Sequence, residues 1–232
     1  MTDLVYILGT GSTWGNNEIR YSLRSVEKNL NINKVFVVGE KCKWFSDKII
    51  HIPADDPYEI KTRNAFHKLL IACNDKRISK DFILMNDDFF ILKKLDRIEY
   101  LYKGKLIDSL KKHPTKSGYY FDALKDTISY LKNQEALDYS LHYPFVYNKA
   151  KLKKLITEIE KKELIILLRA AYGNLNKVGG TYRHDIKATN NRQLKEIFKS
   201  SDVMSTTDRI VMFGLFRKYM KKTFQSKSIY EK

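Results

Sequence analysis

Phe82-Ile83-Leu84-Met85-Asn86-Asp87-Asp88-Phe89-Phe90 is an apolar run that passes straight into Asn-Asp-Asp and then turns apolar again. Its aromatic and branched residues, bounded by the polar Lys80-Asp81, read as a core strand of a mainly parallel sheet. Side chains alternate across a strand, so Asp87 and Asp88 take different directions unless the chain is already leaving the sheet. Open α/β sheets place ligands at the C-terminal edge of their strands, where one carboxylate can face a metal or substrate while the other braces a loop. Asn and Asp are also common turn formers, and the same three residues read equally as a plain turn.

Upstream, the elements alternate. Leu4-Val5-Tyr6-Ile7-Leu8 reads as a buried strand ending in Gly9-Thr10-Gly11-Ser12, a loop whose glycines let backbone approach a ligand. A helix follows, with Ile19, Leu23, Val26 and Leu30 on one stripe and Arg20, Arg24 and Glu27 on a neighbouring face. A glycine loop leading to a helix N-terminus is a generic anion site, because unbonded N–H groups and the positive end of the dipole both point there. The loop has neither GxGxxG nor GxxxxGK[ST] spacing, which excludes a dinucleotide fingerprint and a P-loop. Lys34–Gly39 and Lys48–Pro53 read as the next two strands, and Ile60–Asn74 as a helix carrying His67, whose default reading is a surface or partly buried histidine. The β-α-β order implies a right-handed crossover and a parallel sheet.

Beyond Phe90 the pattern loosens. Tyr100–Gly104 reads as strand and turn, 123–132 as a helix, and 139–147 as extended, since Pro144 biases Tyr143 away from helix. The remaining third is helical in pattern at 150–160, 164–172, 193–199 and 208–219, and the chain from about Phe224 reads as a frayed lysine-rich tail.

The chain has 232 residues, 43% hydrophobic and 12% aromatic, enough for one sizeable core. No apolar run reaches membrane-spanning length and Met1-Thr2-Asp3 lacks the start of a signal peptide, so a cytoplasmic protein is expected. Cys42 and Cys73 lack CxxC spacing and read as two small buried hydrophobes. A formal net charge of +16 favours a polyanionic partner such as nucleic acid, an anionic membrane surface or a phosphorylated substrate, or else marks a solvated lysine surface.

Alternating β and α elements ending in Asp-Asp, then a mixed segment and helices, is the order of nucleotide-sugar transferases of the GT-A type. More specifically, 17–29, 34–38 and 82–90 resemble the first two thirds of the Stealth family of sugar-phosphate transferases. His142-Tyr143-Pro144 looks like that family's later His-x-Pro element, and Arg169 sits about where the family has a catalytic arginine. Short phage-encoded proteins labelled glycosyltransferases look similar over nearly the whole length. The resemblance implies a Rossmann-like, GT-A-like sheet flanked by helices, with a mostly helical C-terminal part. It implies a nucleotide-sugar donor and a divalent cation, Mg2+ or Mn2+, held by Asp87 and Asp88, with Asp88 the central carboxylate. His142 would activate a hydroxyl and Arg169 would steady phosphate charge, both reasonable for an imidazole and a guanidinium. Gly9, Thr10, Gly11, Arg20, Arg24, His67 and Asn86 are the candidate substrate contacts; for Arg20 and Arg24 a solvated or ion-paired face is the competing reading, with Glu27 available to Arg24.

One departure bears on the reaction. His67 stands where the family carries a catalytic glutamate, and imidazole is a poor replacement for a hard carboxylate ligand of magnesium. This shifts the expectation from sugar-1-phosphate transfer to glycosyl transfer onto a hydroxyl acceptor, with a polyanion such as modified phage DNA as a candidate acceptor. A non-catalytic nucleic-acid-binding module is the alternative of a different class. The expected organisation is a single domain over 1–223, with a donor-binding half at 1–95, an acceptor half at 96–223 and a basic tail at 224–232; no oligomeric state is implied.

Overall fold

Leu4, Val5, Tyr6 and Leu8 are buried on both faces, and they make β1 (Asp3–Leu8) the centre of a five-stranded sheet. The computed structural model describes residues 1–232. Two compact units are distinguished: Met1–Ile98 with His142–Lys149 and Ile186–Lys232, and Glu99–Leu141 with Ala150–Asp185. The first unit therefore takes back two stretches of the half expected to start at 96.

In the first unit the chain runs β1, α1 (Asn17–Asn29), β2 (Val35–Gly39), β3 (Ile49–Pro53), α2 (Lys61–Asn74) and β4 (Asp81–Met85). The sheet order is β3-β2-β1-β4-β7, with β7 (Phe145–Asn148) antiparallel on β4 and the other pairings parallel. The mixed, mainly parallel α/β fold is as expected. Ile19, Leu23 and Val26 of α1 are fully buried in the core with Leu4, Tyr6, Val35 and Met85. Each such side chain contributes about 1.5–3 kcal/mol on burial. Gly39 lets β1 and β2 meet: its φ is +123°, and a Cβ there would stand 1.9 Å from the Leu8 carbonyl oxygen.

The single strand expected over 82–90 is two. β4 stops at Met85, the chain turns at Asn86–Asp88, and β5 (Phe89–Ile91) pairs with β10 (Val203–Thr206), which also carries β9 (Lys187–Ala188). The helix expected over 208–219 breaks at Met212 and Phe213 into α8 (Asp208–Val211) and α9 (Gly214–Thr223), while α7 (Asn191–Ser200) lies where expected.

The tail from Phe224 is not frayed. Tyr230 is buried in the main core, Ser46 N–H donates to its carbonyl, and Lys232 N–H donates to the Trp44 carbonyl. Glu231 takes a bidentate bond from Arg24 at 2.6 and 2.7 Å, both side chains being largely buried. One aromatic and one acidic side chain outweigh the local lysine-rich composition.

The second unit is mainly helical. It contains α3 (Leu106–Lys112), α4 (Tyr119–Leu131), most of α5 (Lys149–Lys161), α6 (Leu168–Leu175) and the short parallel pair β6 (Leu101–Tyr102) and β8 (Thr181–Tyr182). α4 and α6 share a core of Leu124 and Ala170 with Leu106 and Ala136. No helix of the chain is long and apolar enough to cross a membrane.

Candidate active site

β2 and β3 extend the sheet to one side of β1 and β4 to the other, so the strand order reverses between β1 and β4. Ligands of open α/β sheets bind in the crevice outside the carboxyl ends at such a reversal. The loop Gly9–Gly11 leaves β1 there, and the turn Asn86–Asp88 leaves β4 there.

Helix α1 fixes that turn. Its small polar residues recur at spacings of three and four, which places Ser22, Ser25 and Asn29 on one face. Ser22 Oγ donates to the Phe89 carbonyl at 2.6 Å, Ser25 Oγ accepts from Ile91 N–H at 2.9 Å, and Asn29 Nδ2 donates to the Ile91 carbonyl at 2.6 Å. The helix thus hydrogen-bonds β5 much as a neighbouring strand would, and Phe89 N–H closes the turn on the Asn86 carbonyl.

The two carboxylates stand in different surroundings. Asp88 accepts from Ser205 Oγ at 2.9 Å; burial raises its pKa, while Ser205, Lys187 and His142 pull the other way. Burial pushes Asp87 up to about 7, reinforced by the charges of Asp88 and Glu18 and opposed by backbone N–H groups. Glu18 is itself buried and is held by Ser12 Oγ at 2.8 Å. His142 Nε2 lies 3.2 Å from Lys187 Nζ. An ammonium only donates, so Nε2 is the acceptor and the imidazole is neutral with its proton on Nδ1.

These residues suit a hard cation. Asp87 is a buried carboxyl whose strongest charged neighbours are two further acids, an arrangement that added positive charge relieves. No three His, Cys, Asp or Glu side chains form a ready-made cage. Mg2+ and cations like it commonly take only one or two carboxylates and complete their shell with water and substrate phosphate.

Among the other expected contacts, Gly9, Thr10 and Gly11 line the β1 loop and Asn86 is exposed at the turn. Arg24 is committed to Glu231 and to the Phe224 carbonyl, and Arg20 pairs with Asn17, lies 3.5 Å from Glu231 and covers the Trp44 ring. Both arginines therefore anchor the C-terminus, in keeping with the ion-paired reading and with Glu231 in the place expected of Glu27. His67 sits edge-on to Tyr58, while its neighbour Lys68 is 2% exposed and donates to the Leu8 carbonyl at the end of β1. One helical step rotates a side chain by about 100°, which separates the two. Arg169 belongs to the second unit, where its Nη1 donates to the Leu141 carbonyl. The residues missed by sequence are Glu18, Lys187, Ser205 and Lys68; each is an isolated polar residue, and only the capping-type spacing of Ser12 and Glu18 could have flagged one of them.

The chain matches no protein-family model, and no curated protein is similar to it in sequence. Solved structures do resemble it. The galactosyltransferase LgtC, in complex with donor and acceptor sugar analogs, aligns with a TM-score of 0.55 over 98% of this chain and 98% of that chain, at 11% identity. The chain has a GT-A-like fold. An active-site mutant of LgtC aligns at a TM-score of 0.53, with the same coverage of both chains and 10% identity. In this GT-A-like frame the Asn86–Asp88 turn occupies the C-terminal edge of the sheet, beside the strand-order reversal.

Proposed function

We propose that this chain is a metal-dependent glycosyltransferase that moves a sugar from a nucleotide-sugar donor to a hydroxyl acceptor. The observation that carries the reading is the buried pair Asp87–Asp88 at the sheet's reversal point, with Asp87 held near neutrality by acids. A divalent cation bound there supplies positive charge against the charge that develops on the departing diphosphate. Asp87 and Asp88 hold it, and Ser205 fixes the orientation of Asp88. Lys187 is the cation beside the pair, and donor phosphate draws it from His142 Nε2. The freed nitrogen then takes the acceptor hydroxyl's proton. The net charge of +16 supports an acidic acceptor, for which duplex DNA is the test substrate; activity on it should fall steeply with salt.

The His142–Lys187 group beside Asp88 also supports a second reading, transfer of hexose-1-phosphate, as the Stealth resemblance suggests. Incubation with a panel of nucleotide sugars and Mn2+, followed by mass spectrometry, separates the two. A nucleoside diphosphate by-product supports glycosyl transfer and a monophosphate supports sugar-phosphate transfer. A protein that consumes no donor yet binds DNA would be a binding module instead.

A further inference from the structure

Three restraints hold the loop between β3 and α2 against the β1 edge. Asn64, 9% exposed, clamps Tyr58 at both backbone groups: its Oδ1 accepts from Tyr58 N–H at 2.8 Å and its Nδ2 donates to the Tyr58 carbonyl at 2.6 Å. The buried Lys68 ammonium joins the Asp56 carboxylate at 2.5 Å to the Leu8 carbonyl at 2.9 Å. Asp56 Oδ2 in turn lies 3.6 Å from where a Cβ on Gly9 would be. A buried lysine is costly to desolvate, and here it ties a surface loop to the root of the Gly9–Gly11 loop.

What this scaffold presents is an aromatic ring. Tyr58 is 37% exposed, with the Arg63 guanidinium 4.6 Å over its face and His67 edge-on at 6.2 Å. Packing against both neighbours fixes the orientation of the ring. Between this loop and β1, β2 ends at Glu40, whose N–H donates to the Leu8 carbonyl at 3.2 Å. Glu40 Oε2 is a buried acceptor with no hydrogen-bond donor. A buried acceptor without a donor carries a desolvation cost that a ligand hydroxyl would remove.

We propose that the β1–β3 edge is a nucleoside subsite, with the Tyr58 ring as stacking face for the base and Glu40 Oε2 as acceptor for a ribose hydroxyl. Base–aromatic stacking tolerates any base, so the ring supplies affinity and leaves the choice of base to other contacts. This rests on the donor being a nucleotide sugar, and it places the nucleoside beside β2 and β3 and the diphosphate toward Asp87 and Asp88.

Calorimetric titration in Mn2+ tests it, using UDP, GDP, CDP and ADP together with inorganic pyrophosphate. The tightest nucleotide should lose about tenfold in affinity in Tyr58→Ala and keep it in Tyr58→Phe, with pyrophosphate binding unchanged. Glu40→Gln should narrow the preference for that nucleotide over its 2′-deoxy form. Nucleotide binding by Tyr58→Ala at the wild-type level, or an equal loss for pyrophosphate, would overturn the subsite. Nucleotide-sugar turnover by the wild-type protein, measured alongside, separates the two claims. Turnover with Tyr58-independent binding removes only the subsite, whereas Tyr58-dependent binding without turnover removes only the transferase reading.

Discussion

Ser22 Oγ donates a 2.6 Å hydrogen bond to the carbonyl oxygen of Phe89, the residue that follows Asp88. The same hydroxyl is paired with Tyr6 Oη at 2.8 Å, so one small residue joins α1, the central strand and the carboxylate turn. Ser22→Ala removes both bonds inside the core. We expect a loss of about 1–3 kcal/mol in urea unfolding, together with weaker Mn2+ binding as the turn loosens. Ser22→Thr, which keeps the hydroxyl, should recover part of the metal affinity.

Asp87 gives the protein a pH signature. It titrates at about 7 when folded, against a model value of 3.8, so the folded state binds more protons between these limits. Stability therefore falls as pH rises from about 4 to 7. Asp87→Asn should flatten that slope and stabilise the protein at pH 8 by on the order of 2–4 kcal/mol. Thermal unfolding across pH 4–8 measures both.

Metal and proton compete for the same carboxyl, so Mn2+ should raise the wild-type Tm at pH 8 and do little at pH 5. In Asp87→Asn the difference between the two pH values should shrink.

The Arg24–Glu231 pair is buried and bidentate, and it fastens the last residues to α1. Glu231→Gln should cost about 3 kcal/mol, because the Arg24 guanidinium keeps its burial and loses its counter-charge. Replacing both residues by apolar ones of similar size should restore most of the loss. Chemical denaturation of the single and double variants checks the coupling.

Gly39→Ala should abolish soluble expression. The added Cβ meets the Leu8 carbonyl oxygen at 1.9 Å, and backbone at the centre of a parallel sheet has no room to shift.

Periodicity alone placed β1, β2, β3, α1 and α2, because each buries a regular apolar set. The two-strand structure of 82–91 was not legible, since Phe89–Ile91 is equally apolar whether it continues β4 or leaves for a second sheet, and that choice is made by β10. β10 itself is four residues long and carries Ser205 and Thr206, with no alternation to mark it. The docked C-terminus was hidden for a different reason: Tyr230 and Glu231 matter through partners some two hundred residues away. At the site, the adjacent acids announced themselves as a pair. Lys187, Ser205 and Glu18 could be found only from the fold that brings them to Asp87 and Asp88.

Asp88→Asn tests the role of the carboxylate pair most directly, measured as Mn2+-dependent consumption of a nucleotide sugar by a variant whose circular dichroism matches the wild type. We expect turnover to fall at least about a thousandfold, since removing a group that stabilises transition-state charge commonly costs 10²–10³ and this one also holds the cation. Turnover within a few-fold of wild type would contradict the assignment of Asp87 and Asp88 as the catalytic centre.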